Sequence, residues 1–231
     1  MNLRMLAIVC VGLLGVGAAA AQPQPASPRI GDELVSWITQ TFDEAYVKPD
    51  ANLPAYRKVL IDPPQVVFQK GWLKDINYTR DPARWLRPAD QQQISDDMSA
   101  GVGRVFADVF KSRGYEVVAA PGPGVLRITP NVTDLYLNAP DTPSANLTRT
   151  FNVNTSDATL VLDARDSVTG ATLARFVDRS TVREARQRLN YATDVSNLFW
   201  MEAAARIWAT NASKEFETAP DKLRTSWGVG R

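Results

Sequence analysis

The chain has 231 residues, 45% hydrophobic and 22% charged, with a formal net charge of +1. These are ordinary globular proportions, and so small a net charge excludes a nucleic-acid binder working by bulk electrostatics. There is no histidine and one cysteine, Cys10, which excludes Ser-His-Asp and Cys-His catalysis, the usual zinc sites and a histidine pH switch.

Residues 1–21 have the pattern of a cleavable export signal. Arg4 supplies a basic start, residues 6–16 are apolar and uncharged, and residues 18–21 are all alanine. The apolar run is shorter than the roughly 20 residues of a membrane span, so it reads as a leader cleaved after Ala21 rather than an anchor helix. Cys10 lies inside this run, too early for a lipid attachment point, and the exported chain would then have no disulfide and no thiol. Residues 22–31 read as a flexible tether rich in Pro, Gln and Ala, and residues 32–231 as a single domain. No later segment is apolar for long enough to cross a bilayer.

Leu34, Ile38, Phe42 and Ala45 recur at helical spacing after Asp32, and predict a short helix ending before Pro49. Residues 56–68 predict a strand with Val59 and Ile61 on one face and Leu60 on the other, interrupted at Pro63 and Pro64. Residues 70–88 have no clean period and predict an ordered loop. Residues 90–113 predict the clearest helix, with Ile94, Met98, Val102, Val105 and Val109 in one stripe and Asp90 with Gln93 as a capping pair. Gly101 and Gly103 cost helix propensity there and suggest close approach to a sheet.

A short strand at 115–119 and a turn at 121–124 follow. Residues 125–137 predict a longer strand with a bulge at Pro130, then a polar loop over 138–146. Residues 158–165 and 171–179 predict a hairpin whose turn, 166–170, places Gly170 at positive φ. The hairpin is apolar at Leu160, Leu162 and Ala164, then at Leu173 and Val177. A basic run at 182–188 precedes a second long helix, 194–216, with Leu198, Met201, Ala205 and Trp208 on one face. The order helix, strand, helix, strands, helix predicts an α/β fold of the α+β type: a mostly antiparallel sheet with two long helices packed on it.

Several segments taken together resemble a known family. They are Tyr56-Arg57-Lys58-Val59-Leu60-Ile61-Asp62-Pro63-Pro64 with Val67-Phe68 and Trp72-Leu73, then Gly114-Tyr115-Glu116-Val117-Val118 with Pro121-Gly122-Pro123-Gly124-Val125-Leu126-Arg127. Asp166-Ser167-Val168-Thr169-Gly170 follows, with Ala174-Arg175 and Asp178-Arg179. In this order, from Tyr56 to the last helix, they resemble the family called domain of unknown function 3313. The resemblance implies a bacterial cell-envelope protein. Many relatives look like lipoproteins with a cysteine after the signal; this chain departs there, so a lipid anchor is not implied. The resemblance carries no catalytic residue.

Four groups could carry chemistry. Asp163, Asp166 and Asp178 could gather as carboxylates for glycoside hydrolysis or a cation; the simpler reading is a turn aspartate plus two that face solvent or pair with Arg165 and Arg179. Pro121-Gly122-Pro123-Gly124 lacks the following helix and lysine of a phosphate cradle, and reads as a turn. Trp72, Tyr78 and Trp85 among Arg80, Arg84 and Arg87 could form a contact surface for a partner; alternatively the tryptophans cap the core edge and the arginines are solvated. Arg183, Arg186 and Arg188 could meet a polyanion, or form a solvated charged face. Asn77, Asn131 and Asn146 match the glycosylation acceptor pattern, which a bacterial envelope protein meets by chance.

The expectation is a non-catalytic, periplasmic or otherwise exported envelope protein with no cofactor, metal or nucleic-acid partner, binding another envelope component, protein in kind. The alternative is a hydrolase of envelope material working with carboxylates alone.

Overall fold

The structure, a computed structural model, describes residues 34–78, 80–137, 157–181 and 197–227. They run β1 (Val35–Ser36), β2 (Glu44–Val47), β3 (Lys58–Ile61), β4 (Gln65–Phe68), α1 (Trp72–Tyr78), α2 (Pro88–Ser112), β5 (Glu116–Val117), β6 (Val125–Tyr136), β7 (Asp157–Asp166), β8 (Thr172–Thr181) and α3 (Asn197–Trp227). Short 3-10 turns occupy Leu53–Ala55 and Pro82–Arg84. The strands form one sheet in the order β1-β2-β8-β7-β6-β3-β5, with β4 also paired to β6. The long ladders are antiparallel; β3 and β4 run parallel to β6, and β5 parallel to β3.

Strand periodicity divides the side chains of this sheet between two faces. Leu126, Ile128, Leu160, Leu162, Ala174 and Phe176 are fully buried in the core with the stripes of α2 and α3. The predicted α2 stripe is buried, joined by Phe106 and Phe110. Phe216 of α3 lies 6.0 Å from Phe110 and 5.8 Å from Phe176, so one ring joins both long helices to the sheet. The opposite parity carries Arg127, Thr129, Asp163, Arg165, Arg175 and Arg179, tied by ion pairs such as Arg127–Asp62 at 2.9 Å. The fold is thus the mixed α/β arrangement expected, with helices of 25 and 31 residues.

Several local expectations are corrected. The helix predicted from Leu34 is absent; β1 and β2 form a hairpin there, and β2 pairs with β8. The helical spacing misleads because Ile38 is 90% exposed, while Trp37, Phe42, Ala45 and Val47 are buried. So short a helix is marginal alone, and this segment instead adds backbone bonds to β8. Its turn is held by Glu215 of α3, which accepts from Thr39 Oγ1 at 2.6 Å and Thr41 Oγ1 at 2.5 Å.

The strand predicted over 56–68 is two strands, β3 and β4, both on the same flank of β6. This also explains Pro130, which lies in unbroken register opposite Leu162 and makes no bulge. The Ile128 carbonyl accepts from Asp62 N–H at 2.9 Å, so even-numbered backbone groups here face β3. The missing N–H of Pro130 therefore points at the gap between β3 and β4, where no ladder bond is lost. The actual irregularity falls between Thr133 and Tyr136, where Asp134 adopts φ 52°.

Helix α2 begins with Arg87, not Asp90, as the capping residue: Pro88 opens the helix and Asp90 Oδ2 accepts from Arg87 N–H at 2.7 Å. A Cβ on Gly101 would lie 3.1 Å from both Leu198 and Glu202 of α3, so this glycine admits a helix rather than the sheet. Gly103 abuts Pro64 instead, beside β4. In β8 the deeply buried apolar pair is Ala174 and Phe176, with Val177 only partly covered. The polar loop at 138–146, the run at 182–188 and the first residues of the predicted last helix lie outside the described residues.

The β7–β8 turn forms as predicted, with Gly170 at φ +71°. Its added Cβ would meet nothing within 4 Å, so only backbone strain opposes a side chain. Gly170→Ala should cost about 1 kcal/mol, read as a lowered urea midpoint. Asp166 closes the turn by accepting from Thr169 N–H at 2.8 Å and Val168 N–H at 3.1 Å, and from the Tyr56 hydroxyl at 2.9 Å. The Thr169 amide does most to lower the Asp166 pKa; burial, the next-largest effect, opposes it, and the hydroxyls of Tyr56 and Thr169 with the Val168 amide add to the lowering, which prevails. Burial, reinforced by the bond to Asp166, pushes the Tyr56 phenol up to about 12. A lowered folded-state carboxylate adds stability above its unfolded pKa, near 3.9, and loses it as pH falls through the folded value. The difference in Tm between the parent and Asp166→Asn should therefore be constant at neutral pH and shrink below about pH 4. A difference unchanged into strong acid would show that the charge is irrelevant to the turn.

Candidate functional site

The segment from Lys70 to Pro88, expected to be one ordered loop, holds near its start a two-turn helix, α1. In α1, Trp72 and Ile76 are one turn apart and buried, which puts Lys74 and Tyr78 on the exposed side. Trp72 is 1% exposed, stacks on Phe68 with ring centroids 4.1 Å apart, and donates Nε1–H to the Leu137 carbonyl at 2.8 Å. It is a core residue and drops out of the expected contact surface. A two-turn helix is below the length at which periodicity is legible, and only the bonding across to β6 settles which tryptophan is inside.

The remaining aromatic residues are outside: Tyr78 is 87% and Trp85 54% exposed. They stand on an arm ordered by its own hydrogen bonds. Asp81 Oδ1 accepts from Ala83 N–H at 2.8 Å and starts the Pro82–Arg84 turn. Trp85 Nε1–H donates to the Arg80 carbonyl at 3.2 Å, and Arg80 Nη1 to the Arg84 carbonyl at 3.4 Å. Asn77 clamps the far end, donating to the Leu86 carbonyl at 2.8 Å and accepting from Leu86 N–H at 2.9 Å. Leu86 is buried, while Arg84 and Arg87 are exposed. Tyr78, Arg80, Arg84, Trp85 and Arg87 thus lie together on one closed arm. Beside it is a hollow of about 510 Å³ lined by residues including Lys74, Asn77, Leu86 and Pro88. Asn77 is the residue that sequence reasoning missed; as a lone polar residue on a short helix it gave no signal beyond a glycosylation pattern.

The three aspartates do not come together. Asp163 and Asp178 project from opposite faces of the sheet by strand parity. Asp163 is buried, accepting from Arg175 Nε at 2.6 Å, Arg175 Nη2 at 2.9 Å and Arg165 Nη2 at 3.0 Å. Of the two simpler expectations for Asp163, the pairing with Arg165 holds and solvent exposure does not, because the residue sits among cross-strand neighbours of β6 and β8. Asp178 accepts from Trp208 Nε1–H at 2.6 Å, on the helix side, and Arg179 pairs with Glu44 at 3.0 Å instead. Among the described residues, no group of three or more acidic side chains is placed to hold a metal ion. The glycine-rich turn is latched to the β7–β8 turn: Gly122 N–H donates to Ser167 Oγ at 3.1 Å, whose hydroxyl donates to the Gly122 carbonyl at 3.0 Å. Arg183, Arg186, Arg188 and Asn146 lie outside the described residues.

A family model described as a protein of unknown function, DUF3313, matches residues 39–212. No curated protein matches the sequence. Solved structures resemble it distantly. The PelC dodecamer from Paraburkholderia phytofirmans is 10% identical, over 68% of this chain and 88% of that one, with a TM-score of 0.34. A Xanthomonas campestris protein of the DUF330 family is 12% identical over 78% and 93%, with a TM-score of 0.28. Likenesses this loose carry no argument about function. Among the described residues, no helix is long and apolar enough to cross a membrane.

Proposed function

This chain belongs to the DUF3313 family of proteins of unknown function, and from that premise we propose that it is an exported, non-catalytic cell-envelope protein that binds another envelope component through the arm at residues 78–87. One observation carries the reading: Trp85 and Tyr78 are held in solvent by an arm whose backbone is already closed by hydrogen bonds. Exposed aromatic residues beside arginine are typical contact anchors, and an ordered arm loses little further entropy on binding. The leader-like residues 1–21 support export. The separation of Asp163, Asp166 and Asp178 weighs against the carboxylate hydrolase.

The test is a photo-crosslinking residue placed at position 85 in the producing cell, with position 214 on the exposed side of α3 as control. Crosslinks to an envelope component at 85 and not at 214, on a product whose intact mass begins at Gln22, are expected. Equal crosslinking at both positions would overturn the binding role of the arm. Turnover of ester, glycoside or peptide substrates that is lost when one carboxylate is changed would overturn the non-catalytic reading.

A further inference from the structure

Charge is unevenly shared along the chain. Residues 70–87 carry five basic and two acidic side chains, a net of +3, so with +1 for the whole chain the rest sums to −2. Lys70, Lys74, Arg84 and Arg87 are exposed, and none forms an ion pair among the described residues. Elsewhere the arginines that face neighbouring elements are paired: Arg104 with Glu202, Arg113 with Glu217, Arg127 with Asp62. One of the two local acids, Asp81, is engaged in capping its own turn.

Trp85 and Tyr78 stand out of this cationic field. The Trp85 N–H already bonds the Arg80 carbonyl, so the ring can leave water without stranding a donor. Both ends of the Asn77 carboxamide are likewise engaged, by Leu86. The arm and the adjoining face of α1 thus offer outward the guanidinium forks of Arg84 and Arg87, the ammonium groups of Lys70 and Lys74, and the rings of Trp85 and Tyr78. Guanidinium forks pair with lipid phosphates as well as with carboxylates; it is the exposed tryptophan and tyrosine set beside four cations that favour a bilayer, whose headgroup boundary takes amphipathic rings while its phosphates take the charge.

Resting on the reading of the arm as a contact surface, we infer that its occupant is an anionic phospholipid bilayer. Trp85 and Tyr78 enter the headgroup boundary while Lys70, Lys74, Arg84 and Arg87 lie against the phosphates. The chain then associates with a membrane face peripherally.

Vesicle co-sedimentation tests this with the chain from residue 22 onward, which keeps the whole compact unit 32–231. Vesicles of phosphatidylcholine are compared with vesicles enriched in phosphatidylglycerol. Binding should require the anionic lipid and weaken as salt is raised. Arg84→Glu with Arg87→Glu should reduce it about ten-fold or more, and Trp85→Ala should reduce it at constant charge. Lys111→Glu with Lys214→Glu, the same charge change elsewhere on the surface, should have a much smaller effect, and circular dichroism would show every variant folded. Absence of binding to anionic vesicles, or equal loss in both charge-reversed pairs, overturns the inference. So does polyglutamate binding as tight as the vesicles and indifferent to Trp85→Ala, which would point to an acidic protein. If vesicles fail while position 85 still crosslinks in the cell, the bilayer is wrong and the binding role of the arm stands.

Discussion

Trp72→Ala should destabilise the protein by about 3–5 kcal/mol, the range for deleting a large buried aromatic side chain. Three effects act together. The indole is 1% exposed, so its removal leaves a cavity at the junction of α1, β4 and the end of β6. Its stacking on Phe68 at 4.1 Å is lost. The Leu137 carbonyl, which accepts the indole N–H at 2.8 Å, loses a partner. Trp85→Ala, at 54% exposure, should stay within about 0.5 kcal/mol of the parent. Urea unfolding of the two variants checks the contrast directly. Similar losses in both would mean that α1 is not seated as described.

Removal of the Asp163 carboxylate should be nearly as severe. Asp163 is 3% and Arg175 8% exposed, and the guanidinium meets the carboxylate through two nitrogens, at 2.6 and 2.9 Å. Asp163→Leu leaves that guanidinium buried without its carboxylate, which should cost about 3–5 kcal/mol. Replacing both partners, Asp163→Leu with Arg175→Met, removes the stranded charge and should recover most of the loss, because buried ion pairs gain little over apolar side chains of similar volume. Chemical denaturation of the two single variants and the double gives the coupling. A double variant no more stable than Asp163→Leu would show that the pair acts through shape or another contact and not through charge.

Where the pattern was long, the sequence was a reliable guide. The α2 stripe repeats over five apolar positions and is buried as its spacing requires. The β7–β8 hairpin alternates over a full strand, and its Gly170 turn takes the positive φ expected of it. Where the pattern was short it misled. The four apolar residues from Leu34 to Ala45 fit a helix, but β2 gains a strand partner in β8, more than 120 residues away, and spacing within so short a window carries no information about that partner. The same limit hid α1, whose two turns offer only Trp72 and Ile76 to the core.

The contact surface was half legible. Composition alone marked residues 70–88 as aromatic and basic, but which aromatic residue faces solvent depends on bonds to Leu137, Arg80 and Leu86 that the sequence does not display. The carboxylates show the same division. Their number was evident from the sequence, whereas the parity of β7 and β8, which sends Asp163 and Asp178 to opposite faces, follows from strand register.

By itself, then, the sequence determined the fold class, the family and the chemistries closed to a chain without histidine, because these depend on composition, local periodicity and motifs in order. It took the folded chain to show that Trp72 is core and Trp85 surface, that Asp163 is buried against Arg175, and that four cations, two on the arm and two at α1, have no ion-pair partner among the described residues. Each of these is set by contact between segments distant in the chain, where burial and pairing are properties of the folded neighbourhood and not of the residue.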